Sequence, residues 1–380
     1  MKIVLTGVET NNKGAELMLY AILQEVERRH PNAIVYLPSY RIPQGVNYIS
    51  TNVDFRVMPY DRFERKLKLA GIFRLLHLPY FLLPHTFALR KTDFFLDGSG
   101  FVFSDQFNIT SKTICATRQL LEFLSNQGCK IVYLPQAFGP VQKKATKEML
   151  GVLSKYANLL MPREIVSYDI LQESGVVDMN KVRLFSDFTS LVEGVFPPKY
   201  EHLRNGICVI PNIQMINKGA ISIEKYVSLI EKILITCQES GRTVYLLNHE
   251  GKKDEQLCYM LQEKLPHKIE VVTGINALEV KGLIGSAYLV ISSRFHGVAS
   301  SLNSGVPCLA TSWSHKYQEL FNDYKMNDCV LPLDDEKKAI NKIRQMMTEV
   351  DNHSTREALL NVVPQIKEKT RDMWNLIWNC

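Results

Sequence analysis

The sequence predicts an α/β protein made of two Rossmann-like, doubly wound domains that face each other across a cleft. Three observations lead to this prediction. Short β-branched runs alternate with stretches of helical periodicity, the alternation restarts after a break that contains two prolines, and 380 residues can fill two ordinary hydrophobic cores. Strands that alternate with helices are typical of parallel sheets covered by crossover helices, and ligands bind at the carboxyl ends of such strands.

The first half of the chain contains three strand–helix pairs in succession. The strands are predicted at residues 2–6, 93–96 and 130–134, and the helices that follow them at residues 14–30, 110–126 and 143–155. A further strand ends at Met161-Pro162. These elements place the first domain at residues 1–193.

The second half repeats the pattern after a linker predicted at residues 194–204. A second domain at residues 205–350 follows, and a C-terminal helix at residues 351–380 is a candidate to pack back on the first domain. Helical patterns cover residues 336–350 and 355–378. The strands of the second domain are predicted at residues 207–210, 243–247, 269–272, 288–292 and 308–311.

The composition favours a cytoplasmic protein. The amino-terminal residues lack the basic region, apolar run and cleavage site of a secretory signal. The eight cysteines include no C-x-x-C pair, and several lie in apolar runs, which is typical of reduced core residues. No run reaches the roughly 18 to 20 apolar residues that a membrane-spanning helix needs. We therefore expect a chain that does not cross a membrane.

The net charge of +6 is concentrated in residues 61–91, which contain seven basic and two acidic residues. Bulky apolar residues are interleaved with these charges, so the segment is a candidate for peripheral contact with anionic lipid at the inner face of the membrane. The alternative is an ordinary helix with a solvated basic face. Nucleic acid is not expected as a partner because the rest of the chain is near neutral.

The most informative segment is Ser293-Arg294-Phe295-His296-Gly297, which lies where a predicted strand stops and a helix of small residues begins. Arg294 and His296 are two residues apart, so extended backbone would point both side chains the same way. The N–H groups of the new helix add positive potential at this point. The pattern predicts an anion pocket with a titratable group, although a single histidine often has only a structural role.

Polar residues also follow neighbouring strands of the first domain. Asp97 stands at a strand end with Gly98 and Gly100 behind it, where small residues allow close approach of a ligand. Gln136 ends the next strand, and Arg163 the one after. Arginine there can hold a carboxylate or phosphate through two parallel hydrogen bonds. The alternative functions are a helix cap or a turn former for Asp97 and a surface charge for Arg163.

Two further turns supply candidate contacts. The first strand–helix turn contains Asn12 and offers backbone N–H groups to an anion, but it lacks the spacing of a dinucleotide-binding or P-loop motif. Turn formation or helix capping is the alternative for Asn12. His315 and Lys316 follow the last strand of the second domain and are candidate cations, or else solvated side chains.

Taken in order, these motifs resemble the polysaccharide pyruvyl transferase family over nearly the whole chain. Each motif is weak alone, and the ordered set is fairly specific. Gly305-Val306-Pro307 and Lys316, which follow Ser293-Arg294-Phe295-His296 along the chain, also match the family. The remaining matching pieces are Asn12 to Glu16, Asp97-Gly98-Ser99-Gly100, Pro135-Gln136-Ala137-Phe138-Gly139-Pro140, Arg163-Glu164 with Ser167, Asp187, and Ser293-Arg294-Phe295-His296.

The resemblance implies a GT-B-like fold and the transfer of a pyruvyl group from phosphoenolpyruvate to two hydroxyls of a sugar, forming a cyclic ketal. No nucleotide, metal or other cofactor is implied. Arg163, Arg294, Phe295 and His296 are then expected to contact phosphoenolpyruvate. His296 is expected to act as general acid or base, and Asp97 as the second proton acceptor or hydroxyl positioner. The first domain is expected to hold the acceptor, a saccharide that a lipid can carry.

Two other classes of function stay open on the sequence. A nucleotide-sugar glycosyltransferase is the first, because His296-Gly297 followed by Gly305-Val306-Pro307 also resembles the donor loop of GT-B enzymes. The absence of Asp and Glu between Phe295 and Gln318 argues against it, since that loop commonly places an acid on the ribose. The second is a saccharide-binding protein without catalysis, because fold alone does not fix function.

Overall fold

The computed structural model describes residues 1–38, 52–58, 89–217, 219–311 and 315–380. The chain divides into two compact units. The first unit comprises Met1–Thr10, Met18–Phe188 and Arg371–Cys380, and the second comprises Asn11–Leu17 and Thr189–Thr370. Most of the basic segment predicted to contact lipid, residues 61–88, lies outside the described residues, as does the side chain of His315.

The sheet of the first unit has six parallel strands within the described residues, in the order β3-β2-β1-β4-β5-β6. This is the strand order of a Rossmann sheet. The order reverses between β1 and β4, where Thr6 pairs with Asp97, so the switch point lies beside Asp97. The strands are β1 (Lys2–Thr6), β2 (Ile34–Pro38), β3 (Asp54–Met58), β4 (Phe94–Asp97), β5 (Lys130–Gln136) and β6 (Leu159–Pro162).

Helices follow the strands of the first unit. The three predicted helices are confirmed to within one residue at either end, and Thr110 caps its helix by accepting a hydrogen bond from the N–H of Thr113 at 3.2 Å. Strands β2 and β3 were not predicted; β2 is an apolar run that was overlooked, whereas β3 carries Asp54 and Arg56 and lacks such a run. The helices are α1 (Lys13–Arg29), α2 (Ser111–Asn126), α3 (Lys144–Tyr156) and α4 (Ile165–Glu173).

The sheet of the second unit has five parallel strands within the described residues, in the order β11-β10-β7-β8-β9. It repeats the first five positions of the Rossmann order, and its switch point lies between β7 and β10. All five predicted strands are confirmed to within one residue at either end, and four of them are buried along their whole length. They are β7 (Ile207–Ile210), β8 (Val244–Leu247), β9 (Glu270–Val272), β10 (Leu289–Ser292) and β11 (Cys308–Ala310).

Eight helices accompany this sheet within the described residues, and apolar side chains of most of them join one continuous core with the strands. Within the described parts of the chain, no helix is both long and apolar enough to span a bilayer. The helices are α5 (Gln214–Asn217), α6 (Ile223–Gln238), α7 (Gly251–Lys264), α8 (Ala277–Gly285), α9 (Phe295–Asn303), α10 (His315–Asp323), α11 (Glu336–Met347) and α12 (Glu349–Trp378).

The last residues of α12 belong to the first unit. Trp374 packs edge-on against Phe188 at 6.0 Å between ring centroids, and Trp378 packs edge-on against Phe94 at 5.1 Å. The indole N–H of Trp378 donates to Oε1 of Glu25 at 3.1 Å. These contacts bury Trp374 and partly bury Trp378 in the first unit, and the indole N–H of Trp378 has a hydrogen-bond partner.

Gly7 provides a test of the switch point in the first unit. Its φ is +78°, and a Cβ there would lie 2.3 Å from the backbone nitrogen of Ser99. Gly7→Ala should therefore lower the free energy of unfolding by about 2 to 4 kcal/mol, from left-handed strain and steric overlap together. The matched control is Gly128→Ala, at φ +80° with open space around it, which should cost about 1 to 2 kcal/mol. Equal losses in urea titrations would show that the close approach is unimportant.

Candidate functional site

The strongest candidate segment lies at the switch point of the second unit. Arg294 follows β10 with extended backbone (φ −108°, ψ 128°), and α9 begins at Phe295. His296 is therefore in the first turn of a helix. The prediction of extended backbone from Arg294 through His296 was wrong, because α9 already begins at Phe295.

Hydrogen bonds fix the backbone on either side of Arg294. The carbonyl of Ser293 accepts from the Asn212 amide at 3.0 Å and from the Tyr317 hydroxyl at 2.8 Å, and the Ser293 hydroxyl bonds to that of Tyr226 at 2.7 Å. The N–H of Arg294 donates to the Ser292 hydroxyl at 3.0 Å. All six residues are buried, so the position from which the arginine side chain departs is set by satisfied bonds in the core.

The close packing of α9 on β10 depends on Gly297. A Cβ at this position would lie 2.5 Å from the hydroxyl oxygen of Ser292. Because that hydroxyl also bonds to the backbone of Arg294, a side chain at Gly297 would disturb the arginine as well as the helix. The small residue is required for the geometry of the turn.

The guanidinium of Arg294 is held by two carboxylates that follow β8, one from Glu250 in the turn and one from Asp254 in the first turn of α7. Nε donates to Oδ2 of Asp254 at 2.9 Å, Nη2 donates to the same oxygen, and Nη1 donates to Oε2 of Glu250. The other oxygen of Glu250 accepts from the Asn12 amide at 2.8 Å. Asn12 in turn caps α1, since its oxygen accepts from the N–H of Gly14 at 2.8 Å.

Burial acts on both members of the Arg294–Asp254 pair. It raises the pKa of the Asp254 carboxyl, while the backbone N–H of Ile213 acts against that rise. It lowers the pKa of the Arg294 guanidinium to about 10, which leaves the arginine charged at neutral pH. The direct ion pair favours the charged carboxylate, so each group is the main source of compensation for the burial of the other.

His249 lies one residue before Glu250 and is buried. Burial lowers the pKa of its imidazole well below the ordinary value, and the positive charges of Arg294, His296 and Lys13 lower it further. Its Nδ1 makes no hydrogen bond with any described residue. A neutral imidazole therefore lies among cationic groups at the end of β8.

His296 packs directly on the backbone of the first turn of α1. A Cβ on Gly14 would lie 2.1 Å from Nδ1 of His296, so only glycine leaves room for the ring. The Phe295 ring meets the imidazole edge-on at 5.4 Å between centroids, and the ammonium of Lys316 lies 5.7 Å from the centroid of Phe295. The second unit thus gathers Asn12 and Lys316 around the predicted Arg-Phe-His segment.

The first unit has its own candidate set at the switch point beside β4. Asp97 is buried, and its Oδ1 accepts from the N–H of Ser99 at 3.0 Å. The N–H of Gly98 bonds back to Thr6 at 2.9 Å, and the carbonyl of Gly100 accepts from the next strand's turn. The predicted turn-forming function of Asp97 is present, and the carboxylate still lies at the strand end.

Gln136 ends β5, which lies beside β4, and Arg163 follows β6, the next strand of the sheet. The Gln136 side chain is fully buried, and neither amide atom has a hydrogen-bond partner among the described residues. Arg163 is also buried and forms an ion pair with the adjacent Glu164 at 3.3 Å. Glu164 is held in place by the hydroxyl of Ser167. A buried amide and a buried arginine are thus presented at neighbouring positions of one sheet edge.

The structure therefore places the sequence-predicted site residues in two sets, one in each unit. That both sets act on one substrate stays a prediction. The sequence reasoning missed His249, Glu250 and Asp254, although Asn248-His249-Glu250 directly follows a predicted strand. The sequence from residue 295 to 318 does lack Asp and Glu, but the structure brings Glu250 and Asp254 to Arg294 from a distant part of the chain. Within the described residues, no group of three or more His, Cys, Asp or Glu side chains is arranged to hold a metal ion.

Two parallel Rossmann-like sheets with polar residues at their switch points define the GT-B-like class of α/β protein, and comparison with solved structures confirms this fold. The UDP-GlcNAc 2-epimerase from Neisseria meningitidis, bound to UDP-GlcNAc, matches with a TM-score of 0.59 and 10% identity over 100% of both chains. Anabaena Alr3699/HepE in complex with UDP and glucose matches with a TM-score of 0.58 and 11% identity, covering 98% of this chain and 99% of the other. At this identity the likeness concerns the fold alone.

The sequence comparison is more specific. A family model described as polysaccharide pyruvyl transferase matches residues 12–315, so the chain belongs to the polysaccharide pyruvyl transferase family. The amylovoran biosynthesis protein AmsJ from Erwinia amylovora is 22% identical over an alignment of 358 residues, and the match covers 83% of this chain and 84% of AmsJ. The family resemblance predicted from the ordered motifs is confirmed.

The buried pair between Arg294 and Asp254 should contribute strongly to stability. Asp254→Ala removes one partner and leaves the guanidinium buried, so we expect the free energy of unfolding to fall by about 3 to 5 kcal/mol. As a control, Glu148→Ala breaks an exposed pair with Arg118 and should cost less than about 1 kcal/mol. Urea unfolding measures both, and similar losses in the two variants would contradict a structural function for the buried pair.

The buried His249 should make the fold sensitive to acid. The unfolded imidazole gains a proton below its ordinary pKa of 6.5, whereas the folded one stays neutral to much lower pH. Stability is therefore lost as the pH falls below about 6.5, with a slope that approaches about 1.4 kcal/mol per pH unit. His249→Asn should flatten the fall in unfolding free energy between pH 7.5 and 5.5. The exposed His267→Asn is the control, and an unchanged slope in His249→Asn would refute the assignment.

Proposed function

We propose that the protein transfers a pyruvyl group from phosphoenolpyruvate to two hydroxyls of a sugar in a cell-surface or exopolysaccharide precursor, forming a cyclic ketal. Family membership supports the reaction class, and the likeness to a protein of amylovoran biosynthesis supports a polysaccharide acceptor. The observation that carries the proposal is the rigidly held Arg294, which lies at a switch point with Asn12, His296 and Lys316 around it.

The chemistry accounts for the residue types. The methylene carbon of phosphoenolpyruvate accepts a proton, which leaves an oxocarbenium-like centre at the carbon that carries the phosphate. A sugar hydroxyl adds there and loses its proton, phosphate leaves with the electrons of its C–O bond, and the second hydroxyl closes the ring. Of the two hydroxyl protons, one balances the new methyl group and one the released phosphate. The reaction thus needs a proton donor, a proton acceptor and cations for two anionic groups.

We assign these functions within each unit. In the second unit, His296 is the proposed general acid or base, Arg294 holds an anionic group of the donor, and Phe295 fixes the imidazole ring by edge-on contact. In the first unit, Asp97 is the proposed second proton acceptor or hydroxyl positioner, and Arg163 the second cation for the donor. The Arg163 and Asp97 assignments follow from the family motifs and from burial at strand ends.

A nucleotide-sugar glycosyltransferase is the second candidate, and one observation favours it. Glu250 brings a partly exposed carboxylate to Arg294, and a carboxylate in such a place can accept hydrogen bonds from ribose hydroxyls. The sequence argument against this candidate, the missing acids after Phe295, no longer applies. Family membership still favours pyruvyl transfer. A saccharide-binding protein without catalysis is the third candidate, and the experiment below separates all three.

A lipid-linked acceptor would suit an enzyme that works at the inner face of the membrane. The basic and apolar segment at residues 61–91 is the proposed contact with anionic lipid, on the composition alone.

Mass spectrometry of candidate acceptors with phosphoenolpyruvate should reveal a pyruvyl mass increment, and phosphoenolpyruvate should raise the melting temperature of the protein. Arg294→Lys keeps the charge and loses the two-pronged donor, and Arg294→Ala loses both. The alanine variant should lose about 2 to 5 kcal/mol of interaction with the anion, or roughly 30-fold or more in affinity. His296→Ala should abolish turnover while phosphoenolpyruvate still stabilises the protein, and Arg118→Ala is the exposed control.

Three results would count against the proposal. Stabilisation by a nucleotide sugar and not by phosphoenolpyruvate would favour the glycosyltransferase. Saccharide binding without release of phosphate from phosphoenolpyruvate, together with an unchanged phenotype of cells that carry His296→Ala, would favour the non-catalytic protein. Near-normal turnover in Arg294→Ala would remove Arg294 from the site.

A further inference from the structure

The carboxylate of Glu250 is bound by the second unit as a small-molecule carboxylate would be. One oxygen accepts from the Asn12 amide at 2.8 Å, and the other accepts from Nη1 of Arg294. The amide and the guanidinium come from two turns that are far apart in sequence. Together they grip both oxygens of one carboxyl group, which is the arrangement that recognises a carboxylate ligand.

The two acids on Arg294 differ in their access to water. The Asp254 side chain is 0% exposed and engages two nitrogens of the guanidinium, so it is a permanent partner. The Glu250 side chain is 30% exposed and engages one nitrogen. Glu250 can therefore leave for solvent at little desolvation cost, while Asp254 keeps the guanidinium oriented.

The groups that grip Glu250 are themselves fixed. Asn12 is held by the N–H groups of Gly14 and Ala15, at 2.8 and 3.3 Å from its side-chain oxygen, so its NH₂ group must point outward. A guanidinium has five N–H donors, and Arg294 uses three of them on the two acids. One of its two remaining donors is on Nη1, next to the one that Glu250 accepts.

We propose that the Asn12 amide and the Arg294 guanidinium form the subsite for the carboxylate of the donor, and that Glu250 is an internal competitor for this subsite. The proposal rests on the proposed function, because phosphoenolpyruvate supplies the carboxylate. When the donor binds, its carboxylate takes the place of that of Glu250, which moves into solvent. The two anions exclude each other because like charges at the same cations repel.

This arrangement makes Glu250 a specificity residue. A neutral ligand cannot displace a charged group from two charge-complementary donors, so the subsite admits only molecules with an anion of comparable strength. The negative charge of Glu250 also prevents weakly binding anions of the surrounding solution from occupying Arg294. Removal of the competitor should raise the affinity for every carboxylate that fits.

Calorimetric titration with phosphoenolpyruvate, pyruvate and inorganic phosphate tests the proposal on the full chain. Glu250→Gln should bind pyruvate and phosphoenolpyruvate at least about fivefold more tightly, a coupling of ordinary size, and should lower KM for phosphoenolpyruvate. Inorganic phosphate, which has no carboxylate, should gain less. Glu250→Ala is the second variant in case the amide itself occupies the subsite, and it should also bind more tightly.

Two further variants define the subsite. Asn12→Asp keeps the oxygen that caps α1 and replaces the N–H donor with a negative charge, so it should bind pyruvate more weakly than the wild type. Glu255→Gln makes the same charge change as Glu250→Gln, but within α7, the helix that begins directly after Glu250. The carboxylate of Glu255 accepts from the hydroxyl of Thr273 at 2.9 Å, so this variant should leave all three affinities unchanged.

The outcomes separate this inference from the proposed function. If the wild type binds and consumes phosphoenolpyruvate while both Glu250 variants bind pyruvate no more tightly, the competitor is refuted and pyruvyl transfer stands. A lower melting temperature with unchanged or weaker affinity in these variants would show that Glu250 only supports Arg294, and would overturn the inference. If the wild type binds neither phosphoenolpyruvate nor pyruvate and binds a nucleotide sugar, both proposals fall together.

Discussion

The ion pair between Arg294 and Asp254 is the constraint on which the candidate site of the second unit depends. A guanidinium and a carboxylate can remain buried only if each compensates the desolvation of the other. Asp254 lies in the first turn of α7 and Arg294 at the start of α9, so the pair fixes the turns after β8 and β10. Glu250 and Asn12 extend this fixed point to the start of α1.

The backbone around Arg294 is as well determined as its side chain. Hydroxyls and an amide from three other parts of the second unit bond to Ser293, and glycine at position 297 allows the helix to approach the strand. Preorganised donors lose little conformational entropy when they bind an anion, because their orientation has already been set during folding. The same rigidity explains how the partly exposed carboxylate of Glu250 can bond to Arg294 without changing the orientation of the guanidinium.

The first unit also holds polar side chains at the carboxyl ends of its strands, but with other residues. Its switch point uses glycine at positions 7, 98 and 100 to bring Asp97 to the strand end, and the next two strands end in buried Gln136 and Arg163. Parallel strands deliver their carboxyl ends to one edge, so an ordinary turn residue becomes a candidate functional group. Because both units have the same strand order, each has one sheet edge at which polar residues follow the carboxyl ends of the strands.

The sequence by itself determined the class of fold, the strands and helices with strong apolar periodicity, the family, and the segments that carry Asp97, Arg163, Arg294 and His296. These features are local, because hydrophobic periodicity and turn residues can be recognised within short stretches of the sequence. Only the tertiary structure decided which charges meet. His249, Glu250 and Asp254 are some 40 residues from Arg294 along the chain, and nothing in either segment specifies the other. Their proximity follows from the order in which β7, β8 and β10 lie in the sheet, since long-range ion pairs are set by topology and burial.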